Sequence, residues 1–305
     1  MPSAHKKNAI LTAALGYGAA EIAPLVKSLA GSGFDGDLVV FTSSLQPDAR
    51  DLLREHHAIE VAFPYPSPKG IRPTARYWPI WRKLLAMPLP EPWKDTIARK
   101  VLHHTYLRFI LYRDFLRAHR DRYEAILLTD SRDVFFQANP FSSGLENGVH
   151  VYLESPKLMI GDCPYHRKWI SDLYGSETLD MLAPKPRVCS GTTLGDSASI
   201  LNYLDLMRRG IFAVQRMNTC GDQAIHNYLF HTGQISNVHA HAIGDGGVIT
   251  LGNSKYAKLS LNSQGQVLDA QGAIIPILHQ YDRVPELLEM VTSRHRSPVP
   301  EIFPA

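Results

Sequence analysis

The residues best placed to do chemistry lie in Leu127-Leu128-Thr129-Asp130-Ser131-Arg132-Asp133-Val134-Phe135-Phe136, where an apolar run ends in two carboxylates and then resumes. Ala125 to Leu128 is short, aliphatic and unbroken, as expected of a strand buried on both faces of a parallel sheet. Asp130 and Asp133 then fall at its C-terminal edge, where open α/β sheets bind their ligands. Two oxygen donors so close suit a hard divalent cation, and Mn²⁺ or Mg²⁺ held by one or two carboxylates usually completes its coordination with substrate phosphates. A nucleoside diphosphate is the natural guest. Structural roles are also open to these residues: Asp130 as a strand cap or a partner of Arg132, and Asp133 as the cap of a turn before Asn139-Pro140.

A sheet must hold these acids, and the N-terminal third supplies its first strands. Ala9 to Leu15 reads as a strand, Gly16-Tyr17-Gly18 as a turn, and Glu21 to Ala30 as a helix closed by Gly31 and Gly33. Leu38 to Phe41 is a second strand with Thr42-Ser43-Ser44 as its polar exit, followed by a helix from Pro47 to His56 and a third strand from Ile59 to Phe63. Alternation of strand and helix is the mark of a parallel, doubly wound sheet. The expected fold is therefore α/β, with a Rossmann-like, mostly parallel central sheet flanked by helices.

Residues 64–95 break this rhythm. Eight prolines are interleaved with Tyr65, Tyr77, Trp78, Trp81 and several lysines and arginines, which reads as an inserted irregular loop. Aromatic residues mixed with cations suit a sugar acceptor, an anionic lipid surface or packing over the core. Lys100 to Arg120 follows as a helix. Two of its opposite faces are largely apolar, so it should be sandwiched within the protein. Arg108 and Arg113 then require partners, either carboxylates or a phosphate.

Farther along, Val149 to Glu154 is a strand, and Arg187 to Gly195 is a strand carrying Gly191, where something approaches the backbone closely. Ser197 to Arg209 is a helix. Cys220-Gly221-Asp222-Gln223 opens another, with Asp222 readable as its N-cap. Lys258 to Leu261 and Val267-Leu268 form a hairpin, and Ile274 to Leu278 is a last strand leading into His279. The tail, 294–305, is expected to be loosely held.

In this order the pieces resemble a GT-A glycosyltransferase, and specifically the retaining, glycogenin-type (family 8) enzymes and related nucleotide-diphospho-sugar transferases. The resemblance covers roughly residues 8 to 60 and 100 to 283. It implies metal ligation by Asp130, Asp133 and His279, with an Asp-x-x-Asp spacing where the family has Asp-x-Asp. It implies donor contacts from Thr12, Ala13 and Tyr17 near the opening turn, from Arg108, and from Ser190-Gly191, with Cys189 standing where asparagine is usual. Asp222 and Gln223 match the pair beside the reacting carbon. Arg283 stands near the position of a family lysine. The implied cofactors are Mn²⁺ or Mg²⁺ and a nucleotide-diphosphate sugar, a UDP-sugar first, with a glycan, lipid or protein hydroxyl as acceptor.

Composition restricts the alternatives. A formal charge of +3 over 305 residues is too small for a dedicated nucleic-acid binder, so no nucleic-acid partner is expected. Three cysteines, none in C-x-x-C spacing, indicate neither a disulfide framework nor a zinc site and favour a reducing compartment. No apolar run is long enough to span a bilayer. A cytoplasmic protein of one catalytic domain, 1–305, is expected, with peripheral membrane contact allowed. The competing functions are a sugar-nucleotide nucleotidyltransferase or hydrolase, and a noncatalytic carbohydrate-binding protein of the same fold.

Overall fold

A computed structural model describes residues 6–65, 77–142, 144, 146–155, 157–217, 220–252 and 259–295. The first half of the chain runs β1 (Lys7–Leu15), α1 (Ala19–Ala30), β2 (Asp37–Ser43), α2 (Pro47–Glu55), β3 (Ile59–Ala62), α3 (Trp78–Ala86), α4 (Glu91–Val101), α5 (His104–Ala118), β4 (Tyr123–Thr129), β5 (Val134–Phe136) and β6 (Val149–Leu153). The second half runs α6 (Pro164–Tyr174), α7 (Ser176–Leu182), β7 (Val188–Asp196), α8 (Ser197–Ala213), α9 (Gly221–His231), β8 (Val238–His241), β9 (Val248–Thr250), β10 (Ser260–Leu261), β11 (Val267–Leu268), β12 (Ile277–His279) and α10 (Pro285–His295).

Seven strands form the main sheet in the order β3-β2-β1-β4-β7-β6-β8. The first four are mutually parallel, β7 is antiparallel to β4 and β6, and β8 runs parallel to β6. Residue alternation in β1 explains how helices cover both faces. Ala9 and Leu11 pack with the apolar residues of α5 and α8, whereas Ile10 and Ala14 pack against α1 and α2. A second, three-stranded sheet, β5-β12-β9, and the β10-β11 hairpin lie beyond the main sheet.

The inserted segment differs from the irregular loop read in the sequence. Residues 66–76, with Lys69, Arg72 and Arg76, lie outside the described residues, but 78–86 and 91–101 are helices. Pro79 and Pro92 sit in their first turns, where the missing N–H has no helical partner to lose. Proline here starts helices instead of forbidding them. Trp78 is buried and its indole N–H donates to the Val214 carbonyl at 3.2 Å, fixing α3 against the end of α8.

The helix expected from Lys100 begins at His104, because Leu102 and His103 are extended and His103 caps the new helix through Thr105 N. Arg113 of α5 finds carboxylates. Its guanidinium donates to Asp95 at 2.5 Å and to Asp114 at 2.8 Å, and Arg208 donates to the other Asp95 oxygen at 2.6 Å. Asp95→Ala should therefore destabilise the fold by about 3 kcal/mol, the lower end of the range for breaking a buried ion pair, since it removes the carboxylate that two buried guanidinium groups share and leaves Arg113 with Asp114 and Arg208 with Glu91. Denaturant titration would measure this, and an unchanged midpoint would contradict it. Thr42 and Ser43 extend β2 instead of forming its exit loop. The last strand starts at Ile277, later than expected, and includes His279. The tail from residue 296 lies outside the described residues.

Candidate metal and nucleotide-sugar site

Asp130 leaves the main sheet at the end of β4, and its N–H donates to the Gly191 carbonyl at 2.9 Å, one step beyond the Thr129–Thr192 pair of β4 and β7. Ser131 anchors the turn to β1 by donating its hydroxyl to the Ala13 carbonyl at 2.8 Å. The chain then enters the second sheet, where Val134 of β5 pairs with His279 of β12. The two acids and the histidine thus meet where one sheet hands the chain to another, and not along a single sheet edge. Beyond His279, Gln280 adopts a left-handed conformation with φ +59° and donates its N–H to the Asp133 carbonyl at 2.7 Å. That bond holds an unfavourable backbone state at the site.

One ligand atom from each of Asp130, Asp133 and His279 lies within 4.8 Å of the other two. His279 Nε2 is 3.5 Å from Asp130 Oδ2 and 3.9 Å from Asp133 Oδ1, and this fully buried nitrogen makes no well-formed hydrogen bond among the described residues. Its Nδ1 lies 3.3 Å from Thr250 Oγ1 and 3.5 Å from Cys189 Sγ, which orient the ring from behind. Metal-bound imidazoles are usually oriented through their second nitrogen in this way. Two carboxylates and an imidazole with an unsatisfied nitrogen suit a divalent cation of the Mn²⁺ type. Gly191 leaves the space for it: a Cβ there would come within 2.5 Å of His279 Cε1, 2.6 Å of Nε2 and 2.7 Å of Asp130 Oδ2.

Arg108 ties the triad to α9. Its guanidinium donates through Nη1 to Asp130 Oδ1 and through Nη2 to Asp222 Oδ2, the latter at 2.8 Å. Asp222 is therefore not the N-cap of α9, a position held by Cys220. Burial pushes the Asp222 carboxyl above its usual range against the pull of Arg108. Burial also opposes ionisation of Asp130, but Arg108 and His279 overcome it and hold that carboxyl low. Burial, reinforced by Asp130 and Asp282, raises Asp133. His279 is pushed down by burial, yet Cys189, Asp130 and Asp133 outweigh this and hold it well above the ordinary histidine range.

These groups border a cavity of about 480 Å³, within the usual size of small-molecule sites. No protein family and no curated protein matches the chain by sequence. Solved structures do match. An active-site mutant of LgtC aligns with a TM-score of 0.54 over 96% of this chain and 98% of that one, at 14% identity. The galactosyltransferase LgtC in complex with donor and acceptor sugar analogs gives 0.52 over the same shares, at 13% identity. The chain has the GT-A fold.

Within this GT-A protein the cavity is bordered by Ala13, Tyr17, Arg108, Ser190, Gly191 and Gln223 as well as by the three candidate ligands and Asp222. Two residues carried over from the resemblance lie elsewhere. Thr12 is buried and is not part of the cavity wall, because it points to the opposite face of β1 from Ala13. Arg283 is half-exposed, donates to the adjacent Asp282 at 3.2 Å, and borders a second cavity of about 660 Å³. The two cavities share Trp169, Gln223 and Gln280.

Sequence reasoning missed three polar residues that shape the GT-A site. Asn227, fully buried on α9, exchanges hydrogen bonds with both Val188 N–H at 3.0 Å and Val188 C=O at 2.8 Å, fastening α9 to β7. Glu154 and His166 both contact the Gln223 amide. Glu154 had a detectable signal, since it follows the apolar strand β6 as Asp130 follows β4. Asn227 and His166 carry none.

The close approach at Gly191 gives a direct prediction. Gly191→Ala should displace His279 or Asp130 and weaken Mn²⁺ binding by at least about 10-fold, as disturbed ligand orientation does elsewhere. Isothermal titration with Mn²⁺ checks it, and an unchanged affinity would mean that the cation binds away from this glycine.

Proposed function

We propose that this GT-A protein is a metal-dependent glycosyltransferase that moves a sugar from a nucleoside-diphosphate sugar, a UDP-sugar first, to a hydroxyl acceptor with retention of configuration. One observation carries the reading: the unsatisfied His279 Nε2 faces two carboxylates in the wall of a nucleotide-sized cavity at the C-terminal ends of β1 and β4. Ligands bind at that end of open α/β sheets. The matching LgtC structure that holds donor and acceptor sugar analogs supports it.

A divalent cation bound by Asp130, Asp133 and His279 would hold the diphosphate and offset the negative charge that grows on it as the sugar departs. Arg108 fixes Asp130 from behind and keeps a guanidinium beside the cavity. Gly191 lets the donor approach the backbone, and Ser190 offers a hydroxyl to it. Retention is favoured by the state of the remaining carboxylate in the wall. Asp222 is occupied by Arg108 and buried, which suits it poorly to accept a proton from an acceptor on the far side of the sugar. The acceptor would enter through the second cavity, next to Gln223 and Trp169. No helix among the described residues is long and apolar enough to cross a membrane.

The test is release of nucleoside diphosphate from a panel of UDP-, GDP- and ADP-sugars, with Mn²⁺ and with EDTA. Turnover of a donor in Mn²⁺ alone, and a product anomer matching that donor, is the expected result. Equal turnover in EDTA, or no turnover of any donor, would overturn the reading.

A further inference from the structure

We propose that Glu154 and His166 are positioning residues that lock the Gln223 side-chain amide with its carbonyl oxygen turned into the donor cavity. The inference rests on the glycosyltransferase reading above and deepens it.

Gln223 Nε2 lies 2.6 Å from Glu154 Oε1 and 3.0 Å from His166 Nε2. The identity of the amide edge follows from its neighbours. An ionised carboxylate only accepts hydrogen bonds, so the group 2.6 Å from Glu154 has to be the NH₂, since the reverse orientation would press two acceptor oxygens together. His166 agrees with this assignment. Burial, aided by Arg187, pushes its pKa down to about 4, leaving a neutral ring whose Nε2 accepts the second amide hydrogen. Both N–H groups of Gln223 are thereby engaged.

The lock is itself fixed. The second Glu154 oxygen lies 3.5 Å from Nη1 of the buried Arg187, and the Glu154 N–H donates to the Arg187 carbonyl at 3.0 Å. Asn227 holds the first turn of α9 by donating to the Gln223 carbonyl at 2.8 Å while bonding to β7. Glu154 and His166 border only the second cavity, whereas Gln223 borders both. With its NH₂ turned toward the second cavity, the amide presents Oε1, which no hydrogen bond engages among the described residues, to the donor side.

A carbonyl dipole held in this way places partial negative charge where positive charge grows on the sugar ring as its bond to the diphosphate lengthens. Preorganised dipoles in a water-poor site act on the transition state more than on the bound ground state. Glu154→Gln removes the obligatory acceptor, because a carboxamide can face Gln223 with either end, and so permits the amide to turn over.

The experiment compares steady-state donor kinetics in the wild type, Glu154→Gln, His166→Phe and the exchange variant Glu154→Gln/Gln223→Glu. Glu154→Gln should lower kcat by about 10²-fold with donor KM within about twofold, the signature of an interaction made in the transition state. His166→Phe should lower kcat less, in the same direction. The exchange variant restores a donor facing an acceptor across the wall and returns a negatively charged oxygen to the cavity, so its kcat should exceed that of Glu154→Gln at least about 10-fold. Unchanged kcat in both single variants, or a loss appearing in KM with no recovery on exchange, overturns the lock. Should Glu154→Gln fail to fold, His166→Phe decides: a lowered kcat with donor KM within about twofold supports the lock, and a parental kcat overturns it. An inactive wild type would instead sink the glycosyltransferase reading, so the two failures are distinguishable.

Discussion

Asp133→Asn is expected to lower metal-dependent transfer by more than about 100-fold, beyond the loss typical of an outer-shell change, while leaving the metal-free protein as stable as the parent or slightly more so. Asp133 is 8% exposed, no hydrogen bond to its carboxylate exists among the described residues, and burial raises its pKa. A buried carboxylate without hydrogen bonds is unfavourable to the fold, and a neutral amide of the same shape relieves that. Thermal melting should show a parental or higher midpoint without metal and should lose the upward shift on adding Mn²⁺, which any ligand of the native state produces. A variant with lower metal-free stability and a normal Mn²⁺ response would assign Asp133 a structural role.

Arg108→Met should destabilise the protein by about 3 kcal/mol, the lower end of the range for breaking a buried ion pair, because Asp130 is partly open to solvent. The guanidinium separates two carboxylates. Without it, Asp130 and Asp222 face each other across an apolar side chain, and the fold gains whenever one of them takes up a proton. Folded-state carboxyl pKa values raised in this way make the unfolded state the less protonated one, so the stability deficit should shrink as pH falls toward the ordinary carboxylate range near about 4. Denaturant titrations at several pH values measure this. A deficit that is absent at neutral pH, or that grows on acidification, would contradict the bridging role. Arg108→Lys should recover only part of the loss, since one ammonium cannot span two carboxylates as a planar fork does.

Periodicity made much of the fold legible. The alternation of β1, α1, β2, α2 and β3 follows from apolar patterning, and so does the buried run of β4 that delivers Asp130. Where the expectation failed, an identifiable physical reason intervened. Pro79 and Pro92 start helices, and the apolar pattern continues through the break at Leu102 and His103, so α4 and the start of α5 were not separable by pattern. The change of sheet between Asp130 and Val134 is invisible in a sequence, because β5 pairs with β12, which lies more than a hundred residues away. Arg108 illustrates the limit of composition arguments: helical position indicated that it needed a partner, but only the fold brings both Asp130 and Asp222 to it. Asn227 and His166 act through contacts with β7 and Gln223 that no local spacing announces.

Anomalous diffraction at the manganese edge from crystals soaked with Mn²⁺ and UDP tests the central claim most directly. The account predicts one strong peak bonded to the Asp130 and Asp133 carboxylates and to His279 Nε2, with the diphosphate on its open side in the cavity lined by Tyr17, Arg108 and Gly191. A peak elsewhere, or ordered UDP with no metal between Asp133 and His279, would contradict it.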